Sequence, residues 1–272
     1  MKKSCIMRLL RDLVPPLIWN MCRYLVSENS GFHGNYDDWK KAQIDSIGYG
    51  SDLILERVKA ALLKVKNGDA AYERDSVLFD EIQYAWPLLA SLMFAAAKSG
   101  GVLNVLDFGG SLGSTYYQNK KFFDRLENVS WSIVEQQNFV LAGKEGFENS
   151  RLKFFGDFGK CVEEKRPNVL LLSGVIQYIE SPYILLEELL KHDFEYVIFD
   201  RTTFANQEKA RLAIQKVPEE ITGASYPIWL LNEEEFLKKI SRLNYCLIEQ
   251  FFEFSELGKN VYSKGFLYEK KV

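Results

Sequence analysis

The sequence predicts an α/β protein: a doubly wound, mostly parallel sheet that ends in an antiparallel C-terminal pair, preceded by an N-terminal helical extension. Three observations predict it. From Val102 onward, short β-rich runs alternate with segments long enough for crossover helices. The apolar positions in those runs are continuous instead of alternating, as in strands covered on both faces. The first run breaks abruptly into Asp107-Phe-Gly-Gly-Ser-Leu-Gly113, and open α/β sheets bind ligands at the carboxyl ends of their strands.

Residues 1–100 read as a helical extension or cap, and 101–272 as the sheet domain. Within the extension, residues 1–26 are basic and amphipathic. Lys2, Lys3, Arg8, Arg11 and Arg23 face only Asp12, and they are interleaved with Leu9, Leu10, Leu17, Ile18 and Trp19. Arg8, Arg11, Asp12, Pro15 and Pro16 interrupt what a signal peptide would keep apolar. Such a segment can lie on an anionic membrane surface; a plain helix packed on the domain is the preferred alternative. "SDLILERVKAALLKVKNG" predicts a capped helix that stops at Gly68. "SVLFDEIQYAWPLLASLMFAAAKSGG" predicts a second, with Pro87 as kink or restart and Gly100-Gly101 as the stop. "YERDSVLFDE" reads as a helical flap or charged helix start, from which Tyr72 and Arg74 could reach a ligand carboxylate.

The predicted parallel strands are "VLNVLDF" (102–108), "VSWSIVE" (129–135), "LKFFGD" (152–157), "NVLLLSG" (168–174) and "YVIFDR" (196–201). "NEEEFLKKISRLNY" is a helix capped by Asn232. The runs "CLIEQFFEF" and "KGFLYEKKV" have no helix between them, so they pair antiparallel or lie apart.

The glycine loop excludes two ligand classes. A dinucleotide site wants G-x-G-x-x-G, and its third glycine would fall on Ser114; a P-loop wants Gly-Lys-Ser/Thr. The loop suits S-adenosylmethionine, whose methionine end carries an ammonium and a carboxylate in place of phosphates. On this reading Asp107 anchors the loop, and Gly109, Gly110, Ser111 and Gly113 bring backbone close to the ligand. Glu135, at the end of the second strand, offers two oxygens to a ribose diol. Asp157 can accept from the adenine amine, Phe158 can face the ring, and Ser173 stands at the rim.

"YERDSVLFDE", "LDFGGSLGSTYYQN", "WSIVEQ", "LLSGVIQYIESPY", "IFDRT" and "ASYPIWLL" together resemble a bacterial family of class I S-adenosylmethionine-dependent methyltransferases. Its members are often encoded among genes for cell-surface polysaccharides. The resemblance runs from about Tyr49 to the C-terminus. It implies the class I fold, a role for Asp107, Gly109, Gly113 and Glu135 on the cofactor, and no particular acceptor. Ser111 departs from the commonest loop, D-x-G-x-G-x-G, at its middle glycine.

Acceptor-side candidates are few. Asp200 is expected as base or substrate anchor, Arg201 as anchor for an anionic or hydroxyl-rich acceptor, and Tyr178 as a pocket wall; a local ion pair between Asp200 and Arg201 is the alternative. Tyr226 and Trp229 add aromatic surface. The expected partner is a small molecule or glycan. A net charge of −3 gives no reason to expect nucleic acid, and 47% hydrophobic residues suffice for a core. Four scattered cysteines and two histidines predict neither disulfides nor a metal and fit a reducing, cytoplasmic compartment, with the inner membrane face as the alternative. An NAD-dependent sugar-modifying oxidoreductase and an inactive scaffold of the same fold are the competing readings.

Overall fold

A computed structural model describes residues 31–47, 52–74, 77–218, 223–258 and 260–271. The basic segment 1–26 lies outside them. The described chain begins with β1 (Gly31–Tyr36), α1 (Trp39–Ile44) and α2 (Asp52–Asn67). Next come the hairpin β2 (Tyr72–Arg74) and β3 (Val77–Phe79), then α3 (Trp86–Lys98). The expectation of a wholly helical N-terminal part is therefore corrected, and so is the helical flap at "YERDSVLFDE", which is the β2–β3 hairpin. Pro87 starts α3 within its first turn and does not kink it, since its missing N–H is unpaired there in any case.

Strands and helices then alternate: β4 (Val102–Phe108), α4 (Ser114–Phe123), β5 (Asn128–Val134), α5 (Gln137–Gly146), β6 (Leu152–Phe155) and α6 (Phe158–Lys165). β7 (Val169–Ser173), a 3₁₀ turn (Ile176–Tyr178), α7 (Pro182–Leu189) and β8 (Tyr196–Ala205) follow. The chain closes with β9 (Arg211–Lys216), β10 (Ser225–Leu230), α8 (Glu233–Ser241), β11 (Tyr245–Gly258) and β12 (Val261–Lys270).

Among the described residues the main sheet has seven strands in the order β11-β12-β8-β7-β4-β5-β6. β4 to β8 run parallel, and β12 is antiparallel to both β8 and β11. This is a mostly parallel, Rossmann-like sheet with the C-terminal antiparallel pair anticipated from "CLIEQFFEF" and "KGFLYEKKV". Its continuous apolar strands are explained by the two layers it separates. Leu103, Val105, Trp131, Leu171 and Ile198 face a core shared with α2, α3 and α5. Leu106, Leu170, Leu172, Val197 and Phe199 face a second core shared with α7 and α8. Chain order reverses between β4 and β7, and such a reversal opens a crevice at the strands' carboxyl ends.

A second sheet, β1-β9-β10, joins β1 from the N-terminal part to β9 and β10, which lie in what the sequence presents as an insertion before the last helix. It is fastened to the main sheet: Ala205 N–H donates to Leu231 O (2.9 Å) and Leu231 N–H to Thr203 O (3.1 Å). Its inner face, Ala213, Ile228 and Leu230, packs on Ala205, Val261 and Tyr178. Among the described residues no helix is long and apolar enough to cross a membrane.

Candidate functional site

The crevice is built outward from Asp107, the penultimate residue of β4. Its side chain is 1% exposed and accepts from Trp131 Nε1 at 3.1 Å. Burial pushes its pKa up to about 7; the Trp131 bond and Arg201 oppose that rise, while Glu135 and Asp200 add to it. The loop then folds back over this carboxylate. A Cβ on Gly110 would stand 2.5 Å from the Asp107 carboxyl, so only glycine lets the backbone pass. Gly109, at φ 71°, has the same constraint against Val175 of the turn after β7. Gly113, at φ 101°, is the N-cap of α4.

Ser111 sits at the position where it departs from the commonest loop and adopts φ 55°, a left-handed conformation that strains a residue with a Cβ. Its backbone N–H donates to Glu135 Oε1 (3.3 Å), and the N–H of Gln136 donates to Glu135 Oε2 (2.7 Å). Burial raises the Glu135 pKa, and these two amides lower it. The structure thus brings the loop and the acid of β5 together, although 24 residues separate Ser111 from Glu135.

Two further residues expected at the cofactor have other commitments. Asp157 is exposed and caps α6, its Oδ1 accepting from the N–H of Lys160 at 2.7 Å. It lines an open groove of about 670 Å³ along the β6 edge with Gln137, Gly156 and Lys160. Phe158 is half-buried, its ring packing edge-on against His192 (5.0 Å between centroids) and leaning on Phe194. It is the first residue of α6 and packs against the second core.

Ser173 stands between two residues of β8. Its hydroxyl donates to Asp200 Oδ2 (2.5 Å) and accepts from Arg201 Nε (3.4 Å) and Nη2 (3.3 Å). This follows from register, because Ser173 and Asp200 are partners on β7 and β8. Asp200 is 1% exposed, with Oδ1 unpartnered and Arg201 Nε at 3.5 Å from Oδ2. Tyr178 donates from its hydroxyl to Gln215 Oε1 (2.7 Å) and meets Tyr226 edge-on (5.2 Å), tying the turn after β7 to the β9–β10 hairpin. Trp229 turns away to stack on Trp39 (6.2 Å) and donates to Glu180 O.

The hairpin covers the other side of the loop. Glu73, 1% exposed, accepts from the hydroxyl of Ser114. The residue that breaks the dinucleotide pattern is thus the tether of the β2–β3 hairpin, a role unreadable from its position in the sequence. Tyr72 is 4% exposed, and Arg74 lies over its ring at 5.9 Å. No group of three or more His, Cys, Asp and Glu able to hold a metal occurs among the described residues.

No family model and no curated protein matches the sequence. Solved structures similar to this chain include the N-terminal domain of EvdMO1 in the presence of SAH and D-fucose. It is 11% identical, with a TM-score of 0.47, and the match covers 81% of this chain and all of that one. Another is the glycopeptide N-methyltransferase MtfA complexed with sinefungin, 13% identical with a TM-score of 0.46 over 67% of this chain and 93% of that one. A third is the magnesium protoporphyrin IX methyltransferase of Synechocystis PCC 6803, 11% identical with a TM-score of 0.46 over 68% and 82%. At such values the likeness assigns neither ligand nor acceptor to this chain.

Proposed function

We propose that this chain is a class I S-adenosylmethionine-dependent methyltransferase acting on a small-molecule or glycan acceptor. One observation carries the reading: Glu135 is held against the Ser111 amide of the loop that arches over buried Asp107. A diol-binding acid and a bare-backbone cradle therefore share one crevice at the point where strand order reverses. The residues present fit the cofactor. Gly109, Gly110 and Ser111 bring backbone to its amino-acid part, Glu135 suits its ribose diol, and Asp157 keeps one oxygen beyond its capping bond for the adenine amine. Bound there, S-adenosylmethionine supplies an electrophilic methyl group whose departure leaves a neutral thioether, so no protein acid is needed.

The chain's own work is orientation and charge. Glu135 and Asp200 stand close enough to Asp107 to act on it electrostatically, and the field of ionised carboxylates there favours a cation over a neutral ligand. Asp200 Oδ1 is a buried acceptor lacking a hydrogen bond, so an acceptor hydroxyl or amine can satisfy it. Acting as base there, Asp200 would add ~10²–10⁴ to the rate. Ser173 fixes its other oxygen, and Tyr178 with Tyr226 forms a wall suited to a sugar face. The part before residue 101 serves as cap, with the β2–β3 hairpin as its cover. The finer assignment is methylation of a surface-polysaccharide precursor, with residues 1–26 touching the membrane's inner face.

Calorimetric titration tests the reading: S-adenosylmethionine and S-adenosylhomocysteine should bind and NAD should not. Heat from NAD alone would make the chain an oxidoreductase, and silence from all three a scaffold. Removing residues 1–26 should leave cofactor affinity intact and reduce co-sedimentation with anionic vesicles; equal sedimentation removes the membrane contact.

A further inference from the structure

We propose that Arg201 anchors the carboxylate at the amino-acid end of the cofactor, and that a bulge in β8 pinned by Gln177 aims it there. This rests on the cofactor reading above and reassigns Arg201 from the acceptor to the cofactor.

The backbone of β8 is irregular at this point. β12 pairs Lys264 with Thr202 and Phe266 with Phe199, so Gly265 alone faces both Asp200 and Arg201. Two residues opposite one make a β-bulge, a device that re-aims side chains. Successive residues of a regular strand point to opposite faces. Here Asp200 and Arg201 are adjacent, yet both reach the Ser173 hydroxyl. Arg201 achieves this at φ 51°, in the left-handed region. Strain of that kind persists only where surrounding contacts impose it.

Gln177 supplies such a contact. It is 2% exposed, and its Nε2 donates to the Arg201 carbonyl at 3.0 Å. Its Oε1 is buried without a hydrogen-bond partner, so the side chain is held for its amide bond at the cost of its carbonyl. On the opposite strand, a Cβ on Gly265 would stand 2.1 Å from the Phe251 ring, which keeps that position a glycine and the bulge in place.

The guanidinium lies over the neighbouring strand. Its Cζ, Nε and Nη2 all lie 3.5 Å from where a Cβ on Gly174 would be, so it rests on bare backbone at the tip of β7. Burial raises the pKa of both Asp107 on β4 and Tyr72 on the hairpin, and the Arg201 charge is close enough to oppose both rises. It is therefore directed from β8 back across β7 toward the glycine loop, the side where the cofactor is read, and not outward along β8.

Asp107, Glu135 and Asp200 are acids around the crevice, and Arg201 is the cation whose field reaches Asp107. A ligand with two cationic groups and one carboxylate complements that arrangement, and a planar guanidinium is the side chain suited to a carboxylate.

The test titrates the full chain with S-adenosylhomocysteine and with 5′-methylthioadenosine, which shares the adenosine and thioether but lacks the amino-acid end. R201Q should weaken S-adenosylhomocysteine by roughly 10- to 100-fold while changing 5′-methylthioadenosine by less than about twofold. R201K keeps the charge without the fork; it should lose roughly 3- to 10-fold for the first ligand only, and it stands in if R201Q does not fold. Q177L should show the same selective direction, because misaiming Arg201 touches only the carboxylate. Glu135→Ala should weaken both ligands together. If the Arg201 variants weaken both ligands equally, or neither, the anchor is overturned; an unselective Q177L reduces Gln177 to a structural strut. Wild type that binds neither ligand overturns the cofactor reading and this inference with it, whereas wild type that binds both with an unchanged ratio in every variant overturns this inference alone.

Discussion

Ser111 carries the clearest tension between a side chain and its backbone. Its φ of 55° would suit a glycine, and its amide is one of two that hold Glu135. Ser111→Gly should therefore stabilise the fold by about 1 kcal/mol, read as a higher urea midpoint; an unchanged or lower midpoint would show that the serine hydroxyl offsets the strain. Glu135→Ala should cost at least about 10-fold in S-adenosylmethionine affinity, since a charged acceptor is worth roughly 1.5–3 kcal/mol; calorimetry with equal affinity would remove Glu135 from the site. Asp107 makes a prediction in pH. Its folded pKa of about 7 lies above its ordinary value, so the folded state holds the proton more tightly than the unfolded one. Its contribution is fully present below the unfolded pKa and declines as pH rises toward 7. Asp107→Asn should thus flatten the fall in melting temperature between about pH 4 and pH 7, and a slope identical to wild type would contradict the burial argument. At this scale the acids at strand ends were legible as residue types. Their neighbours were not: Phe158 packs against His192 and Phe194, and Ser173 donates to Asp200, because side-chain direction depends on residues distant in sequence.

Helix ends and parallel strands were written locally. Asn232 caps α8 as expected, its side chain accepting from the N–H of Glu235 at 2.7 Å. Asn232→Ala should cost about 1 kcal/mol in chemical denaturation, with no change in ligand binding. The β4 run matched residue for residue, since a continuous apolar stretch closed by glycines leaves little choice of boundary. The strands that escaped notice are β1, β9 and β10. "GFHGNY" shows no alternation, and its pairing of Gly31 with Lys216 spans most of the chain. The β2–β3 hairpin was hidden by its charges, and Glu73, which looks like a surface acid, is buried on the Ser114 hydroxyl. Ser114→Ala leaves that buried acid short of a donor, at a cost of roughly 1–3 kcal/mol. Limited proteolysis should then cut first within residues 72–79; an unchanged first cleavage site would mean the hairpin is held by other contacts.

At the scale of the whole molecule, the two sheets divide the labour. The main sheet sets the crevice at its order reversal, and the β1-β9-β10 sheet closes the side beyond β8 through backbone bonds from Ala205 and Leu231. By itself the sequence determined the fold class, the five parallel strands and the glycine turn, because each rests on short-range patterns: burial on both faces, helical period, and a loop that admits no Cβ. Only the tertiary structure decided which acid meets which amide, which aromatic turns away from the crevice, and that Arg201 bends off its strand toward the loop. Those outcomes depend on register between strands remote in the chain, where one extra residue opposite Gly265 redirects a side chain that no local pattern could have aimed.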